Sequence, residues 1–134
     1  PLESWAPVLA LPNTVFINVQ AGFTAGELDE IEERFGVRLH TFEELDLNDD
    51  LDDTAALLSV LDVVASADTY LPMMAGGLGI PSWRITRSKR KEDWSTLGAE
   101  KYPWFSSLTV NFGETLEELR GVFQRIAGDV GKIS

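Results

Sequence analysis

Residues 62–81 constrain the fold of this chain more than any other stretch. The apolar run from Val63 to Ala65 is typical of a buried strand, because it is too short for a helix. The polar segment Ser66-Ala67-Asp68-Thr69 ends that run, and a small-residue helix is predicted to follow until Gly79-Ile80-Pro81 stops it. A second apolar run begins at Trp83. Strand, turn, helix and strand in this order predict a βαβ unit.

The turn inside this unit is the candidate site. Ligands of open α/β sheets bind at the carboxyl ends of the strands, where this turn lies. A helix start also offers unpaired N–H groups and a positive dipole end, which suit a phosphate. We therefore expect the N–H groups of Thr69, Tyr70 and Leu71 to face a diphosphate. Asp68 has two interpretations: it is the N-cap of the helix, or it accepts hydrogen bonds from ligand hydroxyls.

The same stretch resembles a known family. Ser66-Ala67-Asp68-Thr69 and the later Ala75-Gly76-Gly77-Leu78-Gly79-Ile80-Pro81 look like the C-terminal, nucleotide-sugar-binding half of heptosyltransferase-like glycosyltransferases, especially the bacterial ones fused to tetratricopeptide repeats. Other pieces agree in order, so that the resemblance covers nearly the whole chain: Asn18-Val19-Gln20, Leu51-Asp52-Asp53-Thr54-Ala55-Ala56-Leu57, Asp93-Trp94 and Pro103-Trp104-Phe105.

The resemblance implies a set of donor-binding residues. Asp68 and the backbone of Thr69 and Tyr70 would contact the sugar-diphosphate part of a nucleotide sugar, and Gln20 and Thr54 would line the same cleft. It implies no resident cofactor and no metal.

Two arginines near the end of the fourth predicted strand are candidate phosphate ligands because of their charge. Arg84 and Arg87 would either neutralise phosphate or be solvated surface residues.

The chain departs from the family at several points. Met73 stands where many relatives have a His, and Tyr70 is bulkier than the small residue usual beside the phosphates. The acceptor domain, which holds the family's catalytic base, is absent, so we expect no catalytic residue here and no activity of this part alone. Its partners would be the acceptor domain and tetratricopeptide repeats of a longer parent chain.

A further departure concerns the sheet. The family's half opens with one more strand and a glycine-rich turn, and this chain begins after them. We expect a gap or an exposed edge unless the first and third strands pair directly. An exposed edge would favour a homodimer.

The remaining periodicity completes the fold prediction. Five short strands alternate with helices, at about residues 14–19, 37–40, 63–65, 83–85 and 108–112. Capping boxes at Thr24–Glu27 and Thr115–Glu118 open two of the helices, and the second is expected to bury Leu116, Leu119, Phe123 and Ile126. These elements predict an α/β fold: a three-layer αβα, doubly wound, mostly parallel sheet with strand order second, first, third, fourth, fifth.

The family implies that this is the Rossmann-like half of a GT-B type glycosyltransferase. We expect residues 1–134 to form one domain of a larger protein, since the chain begins with Pro1.

Composition excludes several classes of function. The net charge of −11 argues against nucleic-acid binding. Without Cys there are no disulfides, thiolate metal sites or Cys nucleophiles, and the single His40 makes a His-dependent triad implausible. No apolar run reads as a membrane span, and we expect a cytoplasmic protein.

A loop at residues 41–53 carries seven of the acids. Asp46-x-Asn48-x-Asp50-x-Asp52 has the spacing of a calcium loop, but Leu51 stands where such a loop needs Gly. A solvated loop that ends in Asp53 as a helix N-cap is the preferred interpretation.

Two other functions stay open. The first is a degenerate relative of the family, kept as a scaffold or interaction module. The second is an unrelated flavodoxin-like nucleotide-binding domain, which should carry an acidic cluster where Gln20-Ala21-Gly22 stands.

Overall fold

The computed structural model describes residues 1–87 and 102–133. Within these ranges there are five strands and five α-helices, preceded by a 3-10 turn at Leu2–Trp5. The strands are β1 (Phe16–Ile17), β2 (Leu39–His40), β3 (Val64–Ala67), β4 (Ser82–Thr86) and β5 (Leu108–Phe112). The helices are α1 (Ala6–Leu9), α2 (Ala25–Phe35), α3 (Leu51–Ser59), α4 (Tyr70–Gly77) and α5 (Leu116–Ile133).

The strands form two separate parallel sheets within the described residues. β1 pairs with β2, with Phe16 opposite Leu39. β3, β4 and β5 form the second sheet in that order, with Val64 opposite Ser82 and Ser82 opposite Leu108. The strand order within each sheet is the expected one, but β1 and β3 share no ladder. The expected break between the first and third strands is therefore present, and the strands of the described residues do not form one continuous sheet.

Helices pack on both faces of the larger sheet. Side chains alternate along β4, so Trp83 and Ile85 lie on one face with Val8 of α1 and with α5. We call this cluster the α5-side core. On the other face, Val64 of β3 packs with Leu58 of α3 and with Leu71 and Ala75 of α4. We call this the α4-side core. The chain is thus a mixed α/β protein, compatible with αβα layering.

Local sequence signals account for most helix ends. The Thr24 hydroxyl accepts from the Glu27 N–H at 3.3 Å, and a Glu27 carboxylate oxygen accepts from the Thr24 N–H at 2.8 Å, which completes the predicted capping box. Hydrogen bonds from Thr24 lower the pKa of Glu27. Gly36 ends α2 with φ +66°, a conformation that favours glycine. The predicted start of α2 is confirmed.

Three predictions were wrong: one about a helix start, one about the burial of a side chain, and one about strand length. The N-cap of α3 is Asp50, whose carboxylate accepts from the Asp53 N–H at 3.0 Å, so Asp53 already lies inside the helix. Leu116 is 55% exposed, because it is the first residue of α5 and precedes the core-facing turn. β1 and β2 have only two residues each, so both are shorter than the runs at 14–19 and 37–40 that were predicted.

Of the helices in the described ranges, none has the length and apolar character that a bilayer crossing requires.

Candidate functional site

The site predicted from the βαβ unit lies where β3 and β4 end and α4 begins. The N-cap of α4 is Thr69, which has an extended backbone and whose hydroxyl accepts from the Leu71 N–H at 3.3 Å. The interpretation of Asp68 as the N-cap is therefore wrong. Thr69 takes the role because its hydroxyl bonds an amide of the first turn, whereas the Asp68 carboxylate bonds side chains of β4.

Asp68 is held by β4 instead. Its Oδ1 accepts from Arg84 Nε at 2.8 Å and from Arg84 Nη2 at 2.7 Å, and its Oδ2 accepts from the Thr86 hydroxyl at 3.4 Å. The parallel register explains the contact, because Arg84 is the partner of Ser66, two residues before Asp68. The Arg84 side chain is 11% exposed and that of Asp68 is 51% exposed. The carboxylate is thus oriented by a mostly buried cation while one side of it faces solvent.

This ion pair changes the role predicted for Arg84. A guanidinium that already makes two charge-assisted bonds to Asp68 has much of its charge compensated there. Arg84 therefore orients and neutralises Asp68 in this structure. The two roles expected for Arg84 were to neutralise a phosphate or to be a solvated surface residue.

The backbone at the start of α4 is only partly available to a ligand. The Thr69 N–H donates to the Ala67 carbonyl at 2.8 Å, and the Leu71 N–H is taken by the Thr69 hydroxyl. The Ser66 and Thr69 hydroxyls also lie 3.3 Å apart, within hydrogen-bond distance. Tyr70 is the first helical residue, and an N–H at that position has no intrahelical acceptor. Of the three amides expected to face a diphosphate, two have internal acceptors and Tyr70 remains.

The Tyr70 side chain links α4 to the acidic loop. Its hydroxyl donates to the Leu47 carbonyl at 2.9 Å, and the residue is 40% exposed. The ring therefore stands beside the helix start and braces the loop at residues 41–50.

Thr54 does not line a cleft. It is fully buried, and its hydroxyl donates to the Asp50 carbonyl at 2.9 Å within α3. The expectation that it contacts a ligand is a misassignment. A hydroxyl that is bonded inside its own helix and closed off from solvent belongs to the core.

Gln20 and Arg87 lie at the margins of the site. Gln20 is exposed just after β1, and its N–H donates to Asn18 Oδ1 at 3.0 Å. The preceding Val19 packs on the α4-side core, which brings this turn towards α4. Arg87 is exposed after β4 and donates to the Glu114 carbonyl at 3.2 Å, so it faces the turn before α5.

Sequence reasoning missed Thr86 as a member of the site. Thr86 could have been found, because it follows Arg84 by two residues in a strand and therefore lies on the same face.

Some of the aromatic residues before β5 pack against the domain, and one is exposed. Tyr102 is 4% exposed and its ring stacks on Phe105 at 5.5 Å between centroids. A Cβ at Gly76 would lie 3.2 Å from Phe105, so Phe105 fits closely against α4. Trp104 is 63% exposed. The predicted Asp93-Trp94 piece and the basic residues Lys89, Arg90 and Lys91 lie outside the described residues.

Two surface hollows flank α2 and contain none of the seven predicted binding residues. One is lined by residues that include Pro1, Trp5 and Phe23, and the other by residues that include Arg38 and His40. They are open depressions, whereas the site at Asp68 is defined by its hydrogen bonds.

No group of three or more His, Cys, Asp or Glu side chains is placed to hold a metal ion in the described part of the chain. In the acidic loop, Asp46 Oδ1 accepts from the N–H groups of Asn48 and Asp49 at 3.1 and 3.0 Å. The carboxylate at the start of the calcium-like spacing thus closes a turn.

Comparison with known proteins adds one relative. No protein-family model matches the chain, and no solved structure does. Protein FlbA of Caulobacter vibrioides is 37% identical over 108 residues, which are 81% of this chain and 18% of FlbA. The name of that protein states no activity. This chain is therefore similar to a region of a much longer protein and spans less than a fifth of its length.

Proposed function

We propose that this chain is the donor-binding half of a glycosyltransferase that resembles the heptosyltransferases, and that it binds a nucleotide sugar at the carboxyl ends of β3 and β4. The observation that carries the proposal is the Asp68 carboxylate. It is oriented by Arg84, half exposed, and placed directly before the start of α4. Its position matches the Ser-x-Asp-Thr segment of the family.

The geometry gives each residue a defined part in binding. Asp68 Oδ1 is taken by Arg84, so Oδ2 is the oxygen that would accept from ligand hydroxyls beside its long contact to Thr86. The Tyr70 amide and the dipole of α4 would receive a phosphate oxygen. Binding and orientation of the donor are what these groups supply, and Arg84 acts through Asp68.

The strand order supports the fold that this proposal needs. β2 and β1 lie to one side of the break and β3, β4 and β5 continue on the other. Joined across the break, they would have the order of a doubly wound, Rossmann-like sheet, in which ligands bind at the point where the order reverses. The proposed GT-B half would thus place its donor between the turn at Gln20 and the turn at Asp68.

The rest of the enzyme belongs to the same proposal. The transfer step would use an acceptor domain on the parent chain, with tetratricopeptide repeats beside it, in the cytoplasm and without nucleic acid as a partner. The small share of FlbA that this chain matches is compatible with such additional domains. Alone, this part would bind the donor and not transfer the sugar.

A scaffold module is the second candidate, and a specific observation favours it. Asp68 and Arg84 bind each other, the Thr69 and Leu71 amides have internal acceptors, and Thr54 is buried. These groups, which were expected to contact a ligand, are therefore bonded or enclosed within the protein.

A thermal-shift screen separates the two candidates. The chain is heated with UDP, GDP, ADP or CMP and with their sugars. One nucleotide class should raise Tm, because a ligand that binds only the folded state stabilises it by mass action.

Two isosteric variants make the screen specific. Asp68→Asn should reduce the shift, because the amide is uncharged and its NH2 group cannot accept. Asp62→Asn is the matched control, since Asp62 is exposed and lies just before β3. Equal shifts for both variants, or no shift with any nucleotide, would favour the scaffold.

A further inference from the structure

Helix α4 has no charged face. Its inward side packs Leu71 and Ala75 into the α4-side core. The opposite positions, spaced three and four residues apart, are Tyr70, Met73 and Gly77, and all three are exposed. A surface helix normally turns charged or polar residues to water, and a helix that is apolar on all sides is normally covered. The outward side of α4 therefore has the composition of a packed surface.

The segment before β5 extends this surface. Phe105 lies against the end of α4, because a Cβ on Gly77 would lie 3.7 Å from its ring carbons. Its neighbour Trp104 is 63% exposed, and Leu78, the residue after α4, is 44% exposed. Both residues therefore stand at the same end of the helix. We call Met73, Gly77, Leu78 and Trp104 together the α4 face.

The α4 face is built from two uncharged segments of the chain. Charged residues make up 25% of the sequence, yet none occurs from 69 to 83 or from 102 to 113. The structure joins these segments directly. The Ser82 N–H donates to the Ser107 carbonyl at 2.9 Å, and the Ser107 hydroxyl donates to the Gly76 carbonyl at 3.1 Å. A contiguous exposed apolar surface of this kind marks an interaction site, whereas single exposed apolar residues do not.

The size of the α4 face fits one helix of a partner. The exposed parts of its side chains, with that of Tyr70 at the start of α4, amount to on the order of 400 Å². A stable interface takes about 800 Å² from each partner, so the face is small for a dimer of this chain. Two chains of net charge −11 also repel each other. A single helix needs only one row of apolar contacts, and Gly77 lets its backbone come close.

The surface next to the α4 face is acidic. The Tyr70 hydroxyl donates to the Leu47 carbonyl at 2.9 Å, which joins the start of α4 to the acidic loop at residues 41–53. That loop carries seven acids, and no Lys or Arg occurs from residue 41 to residue 83. Lys or Arg side chains on a partner would meet these carboxylates, and such complementary charges speed association and fix the orientation of the partner.

We propose that the α4 face binds an amphipathic helix of a partner protein. The apolar stripe of that helix lies on Met73, Gly77, Leu78 and Trp104, and its Lys or Arg residues lie at the end that meets the acidic loop. Trp104 and Met73 are the main anchors, because an aromatic ring and a flexible thioether provide large, adaptable contacts. The inference concerns a protein partner and stands without the proposed function.

The two methionines of the chain provide the readout. Protein labelled with 13C at the methionine methyl groups gives one signal from Met73 on the α4 face. The other comes from Met74, which packs on the α4-side core and is the internal control. The probes are a helical peptide of Leu and Lys with one apolar stripe, about 18 residues or five turns long, and two controls. One control is a scrambled peptide of the same composition, and the other has Glu in place of Lys. The Leu and Lys peptide should shift the Met73 signal more than that of Met74, and both controls should bind at least tenfold more weakly.

Two glycine variants make the assay specific to the α4 face. Gly77→Lys adds bulk and positive charge to the face. It should fold, because a Cβ there makes only ordinary van der Waals contact and Lys is favourable near a helix C-terminus. Gly128→Lys is the matched control, since Gly128 is exposed in α5 and a Cβ there meets nothing within 4 Å. Gly77→Lys should weaken binding of the Leu and Lys peptide about tenfold or more, and Gly128→Lys less than about twofold. Trp104→Ser removes an anchor and should also weaken binding about tenfold.

Three results would overturn the proposal. An unchanged Met73 signal, or equal binding of the scrambled peptide, would show that the α4 face selects no amphipathic helix. Equal weakening by Gly77→Lys and Gly128→Lys would show that the peptide is held by net charge alone. A Met73 signal that moves with protein concentration in the absence of peptide would assign the face to a second copy of this chain.

Discussion

Replacement of Thr54 tests whether this residue belongs to the core or to a binding cleft. Thr54 is fully buried in α3, and its hydroxyl donates to the Asp50 carbonyl at 2.9 Å. That carbonyl also accepts from the Thr54 N–H at 3.2 Å, so it stays bonded if the hydroxyl is removed. The hydroxyl and the methyl group of the side chain can therefore be removed separately: Thr54→Val replaces the hydroxyl by a methyl group, and Thr54→Ser removes the methyl group.

The two substitutions should differ in size. Thr54→Val loses a hydrogen bond worth about 0.5–1.5 kcal/mol but gains the burial of a methyl group, worth about 0.8 kcal/mol. Its net effect should stay within about 1 kcal/mol. Thr54→Ser loses a fully buried methyl group and leaves a small cavity, for a cost of about 1.5 kcal/mol. Valine and serine have similar helix propensities, so the comparison isolates the packing.

Urea denaturation of the three proteins measures these differences by linear extrapolation. We expect Thr54→Val to be at least as stable as Thr54→Ser and to keep any nucleotide-induced rise in Tm. A valine variant that is clearly less stable than the serine variant would refute the assignment of Thr54 to the core. So would a valine variant that folds normally and no longer responds to a nucleotide.

Three further predictions follow from the described contacts. Arg34 donates to Glu3 at 2.6 Å and lowers its pKa below the ordinary 4.5, so this contact stabilises the protein above pH 4.5 and is lost as the pH falls through the folded-state pKa. In Arg34→Gln the free energy of unfolding should therefore fall less steeply as the pH is lowered, which urea titrations at several acidic pH values would measure. Gly36→Ala should destabilise by about 1 kcal/mol, because φ is +66°, whereas Gly128→Ala in the exposed part of α5 should stabilise by about 0.5–1 kcal/mol in the same assay. Leu58→Ala removes a side chain with no exposed surface and should cost about 2–5 kcal/mol by thermal unfolding; a cost below 1 kcal/mol would contradict the α4-side core.

The elements of the fold were predictable where short-range chemistry defines them. The capping boxes at Thr24 and Thr115 formed as predicted, because each uses side chains three residues apart and needs no tertiary contact. β5 was predicted at its observed bounds, since its apolar run is flanked by turn residues on both sides. The division into two sheets also agrees with the expected break.

The site was less predictable because its contacts cross between strands. A preference for Asp at N-caps does not reveal that Arg84, sixteen residues later, would bind Asp68 more closely than the helix start does. The register of β3 and β4 decides that contact, and register is a property of the assembled sheet. Thr54 was misassigned for a similar reason, since burial of a helix face depends on which layer covers it.

The central claim is that a nucleotide sugar binds at the carboxyl ends of β3 and β4. Mapping of amide chemical shifts during titration with a nucleoside diphosphate sugar tests this claim most directly. The proposed function predicts that the largest changes occur at the amides of Ser66, Asp68, Thr69 and Tyr70, with Arg84 Nε following them. Those changes should disappear in Asp68→Asn and persist in Asp62→Asn. Changes centred on the hollows beside α2, or none with any nucleotide sugar, would contradict a donor site at the carboxyl ends of β3 and β4.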